Sequence, residues 1–95
     1  MIMNVYLNVG IVKGIQNLSY TAEDQAMKVC EESDEVYEAV TSGFDPLKIA
    51  EECCDTITAC VGLMYRLGFD SKGIARIMDS VTNKNKARGY INDEL

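Results

Sequence analysis

Two acidic pairs have a spacing suited to metal chemistry, Glu32-x-x-Glu35 and Glu52-x-x-Asp55. Residues three apart share one face of a helix, so each pair presents two carboxylates side by side. If the two helices pack antiparallel, the four carboxylates converge, and they cannot all stay ionised there without a cation. The chain has no histidine, and the two pairs offer oxygen ligands alone. Oxygen-only ligands select a hard ion, Mg²⁺ or Mn²⁺.

Ordinary surface explains the two pairs unequally. The stretch 31–38 holds Glu31, Glu32, Asp34, Glu35 and Glu38, and acidic runs on helices are usually solvated faces. Glu52 and Asp55 instead lie among Ile49, Ala50, Cys53, Cys54 and Ile57. A buried carboxylate without a partner is costly, so a metal or a salt bridge must accompany it. A metal is the preferred reading. Gln25, Lys28, Glu32 and Glu35 follow at spacings of three and four, flanking the apolar face. Gln25 and Lys28 are candidate substrate contacts, although a Lys28–Glu32 pair explains them about as well.

A third group comes late in the chain. The apolar stripe Ile74, Ile77/Met78, Val81 continues into Lys84, Asn85 and Arg88. Arg offers a planar fork and Lys a point charge, both suited to phosphate oxygens. Their placement near a helix C-terminus, where cations are favoured anyway, is the plainer explanation when they are taken alone.

The elements that must position these groups are helices. Residues 1–20 read as an arm or short helix followed by a loop, interrupted by Gly10 and Gly14. Thr21 is an N-cap with Glu23 and Asp24 in the first turn, and Ala26, Val29, Cys30, Val36, Tyr37 and Val40 recur at helical spacing. This predicts a helix from about Ala22 to Val40, ended by Ser42-Gly43. Asp45-Pro46 opens a second helix that runs to Leu67 and is apolar nearly all round after Asp55. A helix hydrophobic on every side needs cover on every side, and in so short a chain a partner subunit supplies it most easily. Asp70-Ser71 caps a third helix ending near Gly89, with a tail over 90–95. The expectation is one all-α domain over 1–95, its helical core at 21–89, whose antiparallel helices form a four-helix bundle with a partner subunit, in a dimer or tetramer.

Composition narrows the function. The net charge of −6 argues against a nucleic-acid polymer as partner, but a bound divalent metal can reverse the local field and admit a nucleotide. No apolar run is long enough to span a bilayer and Met1 to Val9 carries no basic residue, so neither membrane attachment nor a secretory signal is expected. Cys30, Cys53, Cys54 and Cys60 form no C-x-x-C pair. The adjacent Cys53 and Cys54 read as small buried apolar residues, and reduced thiols fit a cytoplasmic protein.

With these residues in order, the chain resembles the MazG-like all-α nucleotide pyrophosphohydrolases, the group that also contains the dimeric dUTPases. The resemblance spans about residues 9–92. It rests on Gln25-x-x-Lys28-x-x-Glu31-Glu32-x-x-Glu35, Glu51-Glu52-x-x-Asp55, Leu67-Gly68-Phe69-Asp70 and Lys84-Asn85-x-x-Arg88-Gly89. The family pattern is EExxE followed by ExxD, and the ending resembles bacteriophage-type members. The resemblance implies hydrolysis of a nucleoside triphosphate to the monophosphate and pyrophosphate. It also implies Glu32, Glu35, Glu52 and Asp55 as Mg²⁺ ligands, and Lys84, Asn85 and Arg88 as triphosphate contacts. Glu35 is the candidate general base, with Glu31 in reserve. Many relatives have Gly where Cys54 stands and Trp near the N-terminus; this chain has no Trp, leaving Tyr6 and Tyr20 as candidates for base recognition. The competing expectation is a non-catalytic helical protein of the same fold that binds a partner through the helix from Pro46. A di-iron carboxylate bundle, which needs Glu-x-x-His pairs, is set aside.

Overall fold

The computed structural model describes residues 1–91. Among them are three α-helices and no strand: α1 (Ala22–Thr41), α2 (Pro46–Arg66) and α3 (Ser71–Ala87). The predicted tail is described only at Tyr90 and Ile91; the rest of it, 92–95, lies outside the described residues.

Each helix begins where a side chain satisfies free backbone N–H groups. At α1, Thr21 Oγ1 accepts from the Asp24 amide at 3.1 Å and Asp24 Oδ2 accepts from the Thr21 amide at 2.9 Å, a reciprocal capping box. Asp45 Oδ1 accepts from the Lys48 amide at 2.9 Å, with Pro46 in the first turn, where its missing N–H costs nothing. Asp70 Oδ1 accepts from the Gly73 amide at 2.8 Å. The α1 terminus closes through Gly43 at φ +74°, a conformation that needs glycine. There Phe44 N–H donates to the Ala39 carbonyl and Gly43 N–H to that of Val40.

The chain divides into two compact units, one of residues Val9–Gly68 and one of Met1–Asn8 with Phe69–Leu95. In the first, α1 and α2 are antiparallel neighbours across the short connection 42–45. Glu32 meets Glu52 and Asp55, while Gln25, earlier on α1, meets Ala59 and Gly62, later on α2. The buried core of this unit is small: Ile15, Ala39 and Ala59, with the polar Gln25, Glu32 and Glu52. Residues 9–20 contain turns rather than the short helix offered as one reading of this stretch. Asn17 stabilises them by accepting from both the amide and the hydroxyl of Ser19. Ile15 is buried from this segment, which hydropathy alone did not mark.

Several expectations about burial need correction. Cys30, Cys53 and Cys54 are exposed, and Cys60 is half-buried. On α1, Tyr37 and Val40 from the predicted apolar stripe are also exposed. The reason is geometric. The α1–α2 seam follows Gln25, Glu32 and Ala39 against Glu52, Ala59 and Gly62, and the cysteines and large apolar groups lie off that line. In the second unit no residue of α3 is buried, and Ile77, Met78 and Val81 are exposed. Among the described residues no helix is long and apolar enough to cross a membrane.

Candidate functional site

The two acidic pairs meet on the α1–α2 seam. Glu32, Glu52 and Asp55 each bring one carboxylate oxygen to within 4.8 Å of the others. Ligands on opposite sides of an octahedral Mg²⁺ stand about 4.2 Å apart, so small rotamer adjustments accommodate this trio. Glu35, one turn along α1 from Glu32, is exposed at the mouth of the cluster. Its carboxyl is held above the ordinary value of 4.5, first by side-chain hydrogen bonding with Glu52 and then by the charge of Glu32. The geometry brings three of the four predicted acids together, and Glu35 stands close enough to feel Glu32 and Glu52.

Burial separates the acids. Glu32 and Glu52 are each 9% exposed, whereas Asp55 and Glu35 are open to water. The α1–α2 contact takes the first two out of solvent and leaves the others on its rim. Lys28 Nζ lies 3.0 Å from Glu32 Oε1, and Lys48 Nζ lies 3.2 Å from Glu52 Oε1. Both lysines are held in the charged form more firmly than usual, chiefly by hydrogen bonding to these glutamates. Both are also about half exposed, so the pairs are weak by themselves. Lys48 was not singled out from the sequence, although its four-residue spacing from Glu52 is legible there.

The lysines leave one acceptor unmet. Among the described residues, Glu52 Oε2 is buried and has no hydrogen-bond partner. Carboxylates deprived of water normally find donors or a cation, and a carboxylate oxygen left over is costly. The oxygen belongs to one of the three clustered acids, so the donor set fits a hard divalent ion on a structural observation as well as on spacing.

The remaining candidates fall in different places. Glu31 is exposed, with a carboxylate oxygen 3.8 Å from Lys28 Nζ. Gln25 is 3% exposed and its amide is engaged at both ends. Nε2 donates to the Ala59 carbonyl at 3.0 Å, and Oε1 accepts from the Tyr20 hydroxyl at 2.6 Å. Those bonds commit both Gln25 and the Tyr20 hydroxyl to the interior of the unit rather than leaving them to a substrate. Lys84, Asn85 and Arg88 occupy the C-terminal end of α3, in the second unit. Tyr6, in that same unit, is exposed.

On the flank of the seam, Ser33, Val36, Tyr37 and Val40 of α1 face Cys53 and Ile57 of α2 across an apolar groove of about 510 Å³. It adjoins the acids in sequence and shares their two helices.

Compared with models of known protein families, with curated proteins and with solved structures, the chain matches none of them.

Proposed function

We propose that this chain is a Mg²⁺-dependent nucleoside triphosphate pyrophosphohydrolase of the MazG-like kind, cleaving its substrate to a nucleoside monophosphate and pyrophosphate. The observation that carries the reading is the orphaned, buried Oε2 of Glu52 beside Glu32 and Asp55. Four carboxyl groups face two half-exposed ammonium groups, an excess of negative charge that a divalent cation would neutralise.

Glu32, Glu52 and Asp55 hold the ion in this proposal, with Glu35 completing the set from the rim. Mn²⁺ has the same preference for oxygen and is expected to substitute. When bound, the ion supplies charge neutralisation to the phosphates and acidifies water. Glu35, on the rim of the set, is the candidate general base in this reading; Glu31 is the reserve. Lys28 serves as the counter-charge of Glu32, and Lys48 as that of Glu52. The family resemblance assigns the triphosphate contacts to Lys84, Asn85 and Arg88, where Arg suits bidentate contact with phosphate oxygens.

The chain acts as a homo-oligomer in this reading, a dimer or tetramer in which α1 and α2 join their counterparts in a four-helix bundle. Support comes from the small core and from the exposure of Tyr37, Val40, Leu47 and Ile57 on the two helices. Four free thiols suit a reducing cytoplasm. The same exposed faces also favour the second reading, a non-catalytic helical oligomer that binds a partner.

The deciding experiment is a screen of the common ribo- and deoxyribonucleoside triphosphates, with pyrophosphate and phosphate measured separately. The expected result is Mg²⁺-dependent pyrophosphate release from at least one nucleotide and its loss in Asp55→Asn. Absence of release from every nucleotide would move the assignment to the non-catalytic reading.

A further inference from the structure

We infer that Gln25 is a positioning residue for the acidic centre, acting with Gly62 as a register lock between α1 and α2. The inference rests on the proposed cation site and adds residues that touch neither the cation nor the substrate.

Gly62 lies in the interior of α2, where glycine costs about 1 kcal/mol relative to alanine. Its backbone is ordinary right-handed helix, since the positive-φ residues lie elsewhere, so no turn requires it. Space does. A Cβ at Gly62 would stand 3.1 Å from Gln25 Nε2 and 3.9 Å from Ile15 Cδ1. The amide of Gln25 occupies the room that the missing side chain leaves.

That amide is fixed at both ends by Ala59 and the Tyr20 hydroxyl. Tyr20 is itself tied to α2, because Arg66 Nε donates to its carbonyl at 3.2 Å. A side chain only 3% exposed and pinned in this way has little freedom to yield. The lock also has the right reach. Gln25 precedes Glu32 by seven residues on α1, and Ala59 follows Glu52 by seven on α2. Seven residues are about two helical turns, so in an antiparallel pair the Gln25–Ala59 contact lies on the same line as the Glu32–Glu52 contact. Fixing one contact fixes the other. A slip of α2 by one turn would move its acids about 5.4 Å along α1, enough to break up the trio.

The test is Mn²⁺ binding, read from the loss of the free-ion electron paramagnetic resonance signal, on the full chain and on Gly62→Ala, Gln25→Leu and Tyr20→Phe. Thermal melts in EDTA are recorded alongside. Alanine at position 62 raises helix propensity, so a glycine without a positioning role would give a variant at least as stable and with unchanged Mn²⁺ affinity. The lock predicts the opposite for binding: Gly62→Ala and Gln25→Leu each lose about tenfold in Mn²⁺ affinity while retaining helical circular dichroism, as expected when a support of a metal site is removed. Tyr20→Phe, which leaves the Ala59 bond in place, loses less. Unchanged affinity in folded Gly62→Ala would overturn the inference and leave the cation site standing. Failure of the unmodified chain itself to bind Mn²⁺ would instead remove the site and the inference with it.

Discussion

The two oxygens of Glu52 have different surroundings, since Lys48 meets Oε1 while Oε2 is buried without a donor. Glu52→Gln is therefore expected to abolish Mg²⁺-dependent turnover without lowering the melting temperature in EDTA. It removes charge from a crowded acidic cluster at the loss of one weak, half-exposed pair. Turnover and melting measured on the same preparation check this, and retained turnover would take Glu52 out of the site. Glu35 makes a second prediction. Its carboxyl binds a proton more tightly in the folded chain than at its ordinary value of 4.5. Its contribution to stability is thus fully present below that value and is lost as pH rises through the elevated folded value. The metal-free protein should become less stable across that window, and Glu35→Gln should flatten the dependence. Mg²⁺ should offset the loss at the upper end by replacing the proton as the source of relief. Melting temperature against pH, with and without Mg²⁺, reads all three effects.

The helices were legible because their ends are written in local chemistry. Thr21, Asp45-Pro46 and Asp70 mark starts, while Gly43 and Gly89 follow the stops. The acidic convergence was legible for a related reason: a three-residue spacing survives any rotation of the helix that carries it. Burial was less legible. Apolar periodicity placed Tyr37 and Val40 in the core, but the seam runs instead through Gln25, Glu32 and Ala39, with Gln25 bonded across it to the Ala59 carbonyl. Periodicity reports which face avoids water, not which neighbour covers it. The uncovered face gives the prediction at this scale. Tyr37 is 73% exposed and lines the apolar groove with Ile57. On the proposed homo-oligomer, Tyr37→Glu or Ile57→Glu is expected to shift the protein toward monomer in sedimentation velocity, whereas an unmodified chain that is already monomeric, or variants unchanged in size, would contradict a subunit contact through this face.

For the whole molecule, the acids and the proposed phosphate-binding residues belong to different compact units. Glu32, Glu35, Glu52 and Asp55 lie in Val9–Gly68, and Lys84, Asn85 and Arg88 lie in the unit that contains α3. The sequence supports the second group through order and residue type alone, so its role is tested by ligand binding. Arg88→Ala should weaken triphosphate binding about tenfold, the scale of a lost charge-assisted contact, and leave monophosphate binding nearly unchanged. Equal losses for both ligands in calorimetric titration would contradict a triphosphate contact. Whether carboxylates of two helices grip one hard cation is read most directly by anomalous diffraction from crystals soaked in Mn²⁺. A peak bounded by Glu32, Glu52 and Asp55 is expected, with Glu52 Oε2 among its ligands. Well-ordered acids at that point with no peak between them, at Mn²⁺ concentrations that support binding elsewhere, would contradict it.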